Sequence, residues 1–334
     1  MTELGDDVRR VADSTGFSGA VRVHREGVVE VDTALGMADR AHGIAATTTT
    51  RFATASATKG FTALAVMRLV ETGALGLSTP VRTLLGDDLG LIDDRVTIEH
   101  LLAHRSGIGD YLDEDLIEDS SDYVMTRPVH ELTDVSAFLP MLGGHEQRFE
   151  PGTKFDYNNG GYMVLSLVAE RASGRSYHEL IDELVVHPAG LTGTAFLRSD
   201  ELPGDAALGY LGEIGLRSNV FHLPVLGNGD GGIYTTLDDV DALWSALFGG
   251  RIVSAETVAD MIRPRSDDDS GTRRYGLGFW LHASNDTVVL EGADAGVSFM
   301  AAHRPSTGAA FTVLSNWSDG AWPMARLFTS LIDD

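Results

Sequence analysis

Ser56 and Lys59 stand three residues apart in "RFATASATKGFTALAVMRLVETGALGL" (Arg51 to Leu77). Residues three apart on a helix share a face, so the lysine amine reaches the serine hydroxyl. A serine hydroxyl is a poor nucleophile until a neighbouring base takes its proton. A lysine can be that base only where burial and polar neighbours keep it partly neutral. The apolar residues that follow supply such burial, and Lys59 and Lys154 are the only lysines of the chain. Near a helix N-terminus, Ser56 would also meet the positive end of the helix dipole, which favours developing negative charge. A capping serine beside a snorkelling lysine shows the same spacing.

Tyr157 and Asn159, in "FEPGTKFDYNNGGYMVLSLVAERASG", form a second pair in a turn just before a helix. The phenol can relay a proton to a leaving group, and the amide can hold a substrate carbonyl or the lysine. A turn asparagine capping its helix beside a packed tyrosine looks the same in isolation.

The elements around these pairs follow from periodicity and turn chemistry. "GAVRVHREGVVEVDTALGMAD" alternates apolar residues on either side of Glu-Gly and reads as a β-hairpin. After Ser56, Phe61, Leu64, Ala65 and Leu69 recur at helical spacing, and Val66, Met67 and Val70 widen the stripe. "TIEHLLAHRSG" reads as a short helix with Thr97 as N-cap and Gly107 as stop signal. "GGYMVLSLVAERASG" and "LDDVDALWSALFGG" are strong helical segments. "YGLGFWLH", "TVVLEG", "GVSFMAAHRP" and "AAFTVLSNW" are short β-type runs, followed by a final helix, "WPMARLFTSLI". Strands at both ends with helices between imply a sheet built from the two termini and a helical insertion. The expected division is residues 1–65 with 235–334 as the sheet domain and 66–234 as a mainly helical one, with the site at their interface.

Composition narrows the function. A formal net charge of −24 repels polyanions, so nucleic acid and anionic membrane are poor partners. The chain has no cysteine, which excludes disulfides, thiolate metal sites and a cysteine nucleophile. No window approaches the roughly 20 apolar residues of a membrane span. The acidic N-terminus lacks the pattern of a secretory leader, so a cytoplasmic location is expected. "GNGDGG" (Gly227 to Gly232) fits G-x-G-x-x-G but lacks the βαβ context of a dinucleotide site. Neither G-x-S-x-G nor H-E-x-x-H occurs, and no cofactor or metal is expected. His282 and His303 read as surface or core histidines. The run Asp110–Asp122 carries seven acids, which would favour amine-bearing substrates at a cleft or simply form a solvated face.

Taken together and in order, these stretches resemble the penicillin-recognising serine hydrolases: class C β-lactamases, D-Ala-D-Ala carboxypeptidases, D-aminopeptidases and β-lactamase-like carboxylesterases. The segment from Phe52 matches the nucleophile helix, and "VTIEHLLAHRSGI" the Leu-Leu-x-His-x-Ser-Gly block, in which His104 would have a structural hydrogen-bonding role. The Tyr-x-Asn block, "GDGGIYTTLDDV", "YGLGFWL" and "TVLSNW" follow in the family's order. The resemblance implies an α/β (α+β) fold of β-lactamase/transpeptidase type, with an antiparallel sheet flanked by helices. It implies Ser56 as acylated nucleophile, Lys59 as base, Tyr157 as acid/base on the leaving group and Asn159 as the residue that orients substrate and lysine. The oxyanion donors would be the backbone N–H groups of Ser56 and of Ala293.

The chain departs from the family at the third box, normally Lys-Thr-Gly or His-x-Gly. Here "VVLEGADAGVSF" places Leu290, Glu291 and Gly292 in the box, with Leu290 expected to face the site because strand alternation sends Glu291 the other way. An apolar residue there weakens recognition of a substrate carboxylate. Tyr111 is expected to line the cleft. The expected function is hydrolysis of a small ester or amide through an acyl-serine, as in a carboxylesterase or an enzyme acting on short D-amino-acid peptides. A β-lactamase or carboxypeptidase, and a non-catalytic binding relative, are the alternatives. Oligomeric state is not legible.

Overall fold

The computed structural model describes residues 3–114, 117, 119, 122–268 and 271–333. Eight strands among them form one antiparallel sheet. In chain order they are β1 (Gly19–Arg25), β2 (Val28–Leu35), β3 (Ser266–Asp267), β4 (Arg273–Tyr275), β5 (Trp280–His282), β6 (Val288–Asp294), β7 (Val297–Arg304) and β8 (Ala309–Ser315). Their spatial order is β2-β1-β8-β7-β6-β5-β4-β3, so the N-terminal hairpin joins the sheet beside the last strand. Glu26 and Gly27 turn that hairpin with φ of 51° and 77°, the paired positive values of a tight turn that matches strand twist.

Both faces of the sheet are covered, and strand alternation assigns the residues. Val289, Met300, Ala302, Phe311 and Val313 point to one face, against Val8 and Ala12 of helix α1 (Glu3–Thr15) and Met324 and Phe328 near the C-terminus. Val288, Leu290, Phe299, Ala301 and Leu314 point to the other, against Phe61 and Leu64 of helix α2 (Thr58–Glu71). Each Val, Leu, Met or Phe among them, fully buried, contributes about 1.5–3 kcal/mol. Beyond α2 lie helix α3 (Ile98–Leu102) and helix α4 (Asn159–Ser173), while helix α5 (Leu237–Phe248) packs on the sheet itself, with Trp244 stacked on His303 of β7 and Asp241 paired with Arg22 of β1. Among the described residues no helix is long and apolar enough to cross a membrane.

Three local expectations change. α3 starts at Thr97 with a capping box closed by His100, but ends at Leu102, well before Gly107. His104 takes a φ of +53°, which breaks the helix and brings its ring beneath the Tyr157 segment. "YGLGFWLH" is two strands, β4 and β5, because Gly276–Phe279 turns the chain so that Tyr275 pairs with Trp280. The final helix is two short ones, Ala321–Ala325 and Thr329–Asp333, interrupted where Phe328 packs on Phe311.

Candidate active site

Ser56 lies in a single turn of 3-10 helix, Ala55–Ala57, that leads into α2. Ala55 adopts φ +47°, a strained value for a residue with a Cβ. The strain is held from outside the helix. A short strand, Ile233–Thr235, accepts the Thr54 amide at 3.0 Å through the Ile233 carbonyl. Thr58 Oγ1 donates to the Ala55 carbonyl at 2.7 Å and accepts the Ile233 amide at 3.1 Å.

Lys59 is 2 % exposed, and its amine has three partners. Nζ donates to Ser56 Oγ at 2.9 Å, to Asn159 Oδ1 at 2.7 Å and to the Asp230 carbonyl at 2.8 Å. Asn159 and Asp230 hold the amine from two sides, and its third contact is the Ser56 hydroxyl. The sequence placed Asn159 here but missed Asp230, whose contact is through its backbone. The glycine-rich "GNGDGG" was the available signal: its turn lets the chain approach the lysine closely.

Asn159 is oriented from several sides. Its Nδ2 donates to the Leu112 carbonyl and to Glu114 Oε1, both at 2.9 Å. Its backbone amide donates to Asp110 Oδ2 at 2.6 Å, and Gly160 donates to Asp110 Oδ1 at 2.8 Å. Asp110 thus sits on the N-terminus of α4, beside the N-cap Asn158, which accepts the Gly161 amide at 2.6 Å. Burial pushes the Asp110 carboxyl up to about 6 despite these amides. Part of the acidic run is therefore structural. Asp115, Leu116, Glu118, Ser120 and Ser121 of that run lie outside the described residues.

Tyr157 lines the same cavity as Ser56, and its ring centroid is 5.0 Å from Lys59 Nζ. Burial, then the nearby charge of Glu114, holds the phenol well above its ordinary pKa, so it stays protonated and is a proton donor. His104 supports it from behind, with ring centroids 4.3 Å apart. His104 Nδ1 accepts the Asn158 amide at 3.0 Å. Burial and the Lys59 charge lower the imidazole well below its usual range and keep it neutral. His282 and His303 line neither cavity described next.

Two cavities meet at Ser56. The first, about 300 Å³, is lined by Ala53, Tyr111, Met125, Leu197 and Val297 among others, and the second, about 530 Å³, by Phe155, Tyr157, Trp280 and Trp322 among others. Ser56, Glu114 and Ala293 belong to both. Tyr111 lies where the sequence placed it, with its hydroxyl on the Asp230 carboxylate. Three carboxylates, Glu114, Asp230 and Asp294, line the first cavity. Burial pushes Asp294 up to about 7 and also raises Asp230, where Lys59 partly opposes it.

The third box corrects one expectation. Gly292 and Ala293 line the cleft, but Leu290 does not. Leu290 is 4 % exposed and lies beneath the site, packed over Gly60 of α2. The parity was right, since Leu290 and Gly292 face α2 together. The depth was wrong, because Gly60 has no side chain to hold Leu290 away. Glu291 reaches the second cavity from the strand's other side, paired with Arg273. Gly292 lies so close to the nucleophile turn that a Cβ there would stand 2.6 Å from the Ser56 amide nitrogen. Beyond Val289, β6 has no paired residue of β5 on the cleft side among the described residues. Among the described residues, no group of three histidine, aspartate or glutamate side chains is arranged to hold a metal ion.

A serine and a lysine in contact, with an asparagine on the amine and a tyrosine in the same cavity, can carry out acyl transfer. The Beta-lactamase family matches residues 6–333. The chain belongs to this family. As a family of serine hydrolases it includes proteins of several names. Esterase EstB of Burkholderia gladioli is 30% identical over 82% of this chain and 77% of its own. The putative penicillin-binding protein PbpX of Bacillus subtilis is 29% identical over 80% of this chain. Here the chain spans only about three fifths of its relative's length. The crystal structure of a penicillin-binding protein from Bacillus halodurans superposes with a TM-score of 0.90 at 32% identity, covering 97% of this chain and 99% of that one. The Beta-lactamase family thus accounts for the mixed fold and for the antiparallel sheet with its helices.

Proposed function

We propose that the protein hydrolyses a small ester or amide through an acyl-Ser56 intermediate, as a carboxylesterase or a D-aminopeptidase-like enzyme. The observation that carries this is the 2.9 Å contact between Lys59 Nζ and Ser56 Oγ, with both remaining amine contacts taken by fixed acceptors. Lys59 takes the Ser56 proton as Oγ attacks the carbonyl carbon. The oxyanion forms against the backbone N–H groups of Ser56 and Ala293, donors held in place before reaction. Tyr157 gives its proton to the leaving atom, the bond to that atom breaks, and Lys59 returns a proton to the phenolate. Water then repeats the sequence on the acyl-enzyme. Asn159 holds the lysine throughout.

Glu114, Asp230 and Asp294 in the first cavity support a neutral or amine-bearing substrate over one that must present a carboxylate. A second reading, a penicillin-binding protein or β-lactamase, is favoured by the names of the Bacillus relatives. The test is the rate of p-nitrophenyl butyrate and of a chromogenic cephalosporin with wild type and Ser56→Ala. Ester turnover abolished by Ser56→Ala, with little cephalosporin cleavage, is the expected result. Fast cephalosporin cleavage would favour the second reading. Unchanged turnover in Ser56→Ala would overturn the acyl-Ser56 mechanism, and no labelling of Ser56 by a fluorophosphonate in folded protein would favour a binding protein on this fold.

A further inference from the structure

The two cavities are not equivalent, and the difference assigns the two halves of the substrate. Ser56 and Ala293 line both, so a carbonyl carbon attacked by Ser56 sits at the junction, with one substituent entering each cavity. Tyr157 lines the second cavity and is not in the wall of the first. A proton donor must be within hydrogen-bond reach of the atom it protonates. The leaving atom therefore faces the second cavity and the acyl chain enters the first.

The walls of the second cavity are aromatic. Phe155, Tyr157, Trp280 and Trp322 are each half-buried, with part of the ring left open to the cleft. Tyr157 and Trp280 are nearly parallel, 11° apart with centroids at 6.1 Å, too close to admit a ring between them. Phe155 meets Trp280 edge-on at 5.8 Å. On the sheet side, Arg273, held by Glu291, lies 5.9 Å from the Trp280 ring and fixes it further. Rigid aromatic walls with open faces bind flat apolar groups by stacking and edge contact, at little cost in conformational entropy. The acids of this cavity are mostly engaged. Asp113 and Asp156 pair with Arg148, Glu291 pairs with Arg273, and Glu114 accepts from Asn159.

Building on the proposed hydrolysis, we propose that the second cavity is a leaving-group chamber selective for an aromatic alcohol or amine, and that Trp280 and Trp322 set this selectivity. The first cavity, smaller and lined by Leu197, Met125 and Val297, sets acyl-chain length.

The test compares benzyl butyrate with ethyl butyrate, whose leaving alcohols are of similar acidity, so that recognition is separated from intrinsic reactivity. Wild type is expected to favour the benzyl ester at least roughly tenfold in kcat/KM, mainly through KM. Trp280→Ala and Trp322→Ala should each reduce that preference several-fold while leaving the order of ethyl acetate, butyrate and hexanoate unchanged. Trp280→Ala also loosens Tyr157, but that loss falls on both esters and cancels in the ratio. Leu197→Trp should do the reverse, shortening the preferred acyl chain and sparing the benzyl preference. Ser56-dependent turnover with a ratio that neither tryptophan variant moves would overturn the chamber assignment alone. A shift in acyl-length preference in the tryptophan variants would overturn it too. Turnover surviving in Ser56→Ala would overturn the proposed hydrolysis instead, and a wild type inert toward both esters would overturn both.

Discussion

Leu290 fills the space that a side chain on Gly60 would need: a Cβ at Gly60 would stand 2.5 Å from the Leu290 Cδ2 atom. One contact thus sets how closely β6 approaches α2, and with it the distance from Gly292 to the nucleophile turn. Gly60→Ala overpacks this contact and should cost about 1–3 kcal/mol. Leu290→Ala leaves a void and should cost about 2–5 kcal/mol. The double variant should lose less than the sum, because the new methyl enters the vacated space. Urea unfolding of the three variants checks this, and strict additivity would show that the two residues do not share the contact.

Tyr157→Phe removes the proposed proton donor but keeps the ring against His104 and Trp280. An amide or an alkyl ester, whose leaving group needs a proton, should lose roughly 10²–10⁴-fold in kcat. A p-nitrophenyl ester should lose much less, since p-nitrophenolate departs unprotonated at neutral pH. Equal losses on both substrates would show that Tyr157 acts only by holding the site together.

Gly292→Ala introduces a Cβ 2.3 Å from the Thr54 carbonyl oxygen and 2.6 Å from the Ser56 amide nitrogen, both backbone atoms that cannot rotate away. The strand must retreat from the Ser56 turn, and the proposed oxyanion donors move apart. Loss of one such donor costs roughly 10²–10³-fold in kcat, and this substitution should approach that loss. Steady-state kinetics should show it in kcat more than in KM, and the melting temperature should fall as well.

Asp294 predicts a pH dependence of stability. Its carboxyl is raised from 3.8 to about 7 in the folded protein, mainly by burial, so the folded state holds a proton that the unfolded chain has released. Stability from this group is therefore present at low pH and lost as pH rises from about 4 to about 7. Asp294→Asn keeps a neutral side chain throughout. The variant should match wild type in melting temperature at about pH 4 and exceed it by a few degrees at pH 8. An equal difference at both pH values would rule the carboxylate out as the cause.

Much of the site was legible before any folding was considered. The Ser56–Lys59 contact needs only helical spacing, and Tyr157 with Asn159 needs only a turn that opens a helix. Local backbone geometry determines such neighbours, and it was the resemblance of several blocks in order, these two among them, that implied the fold. The strands and the N-terminal hairpin were legible for the same reason, since a period of two and a Glu-Gly turn are local signals.

What the tertiary structure alone decided lies between segments distant in the chain. Asp230 touches Lys59 through a carbonyl oxygen, an atom that every residue has and that no motif can mark. Glu114, Asp110 and Asn159 come together across about 50 residues of chain, which turns part of an apparently solvated acidic run into the support of α4. The aromatic walls of the second cavity draw Phe155, Trp280 and Trp322 from three separate segments of the chain. Leu290 shows the same limit within one strand. Alternation determined which way its side chain points, but only the absence of a side chain on Gly60, an element away, decided that it sinks into the core instead of lining the cleft. Direction is a property of the local backbone; depth is a property of what packs against it.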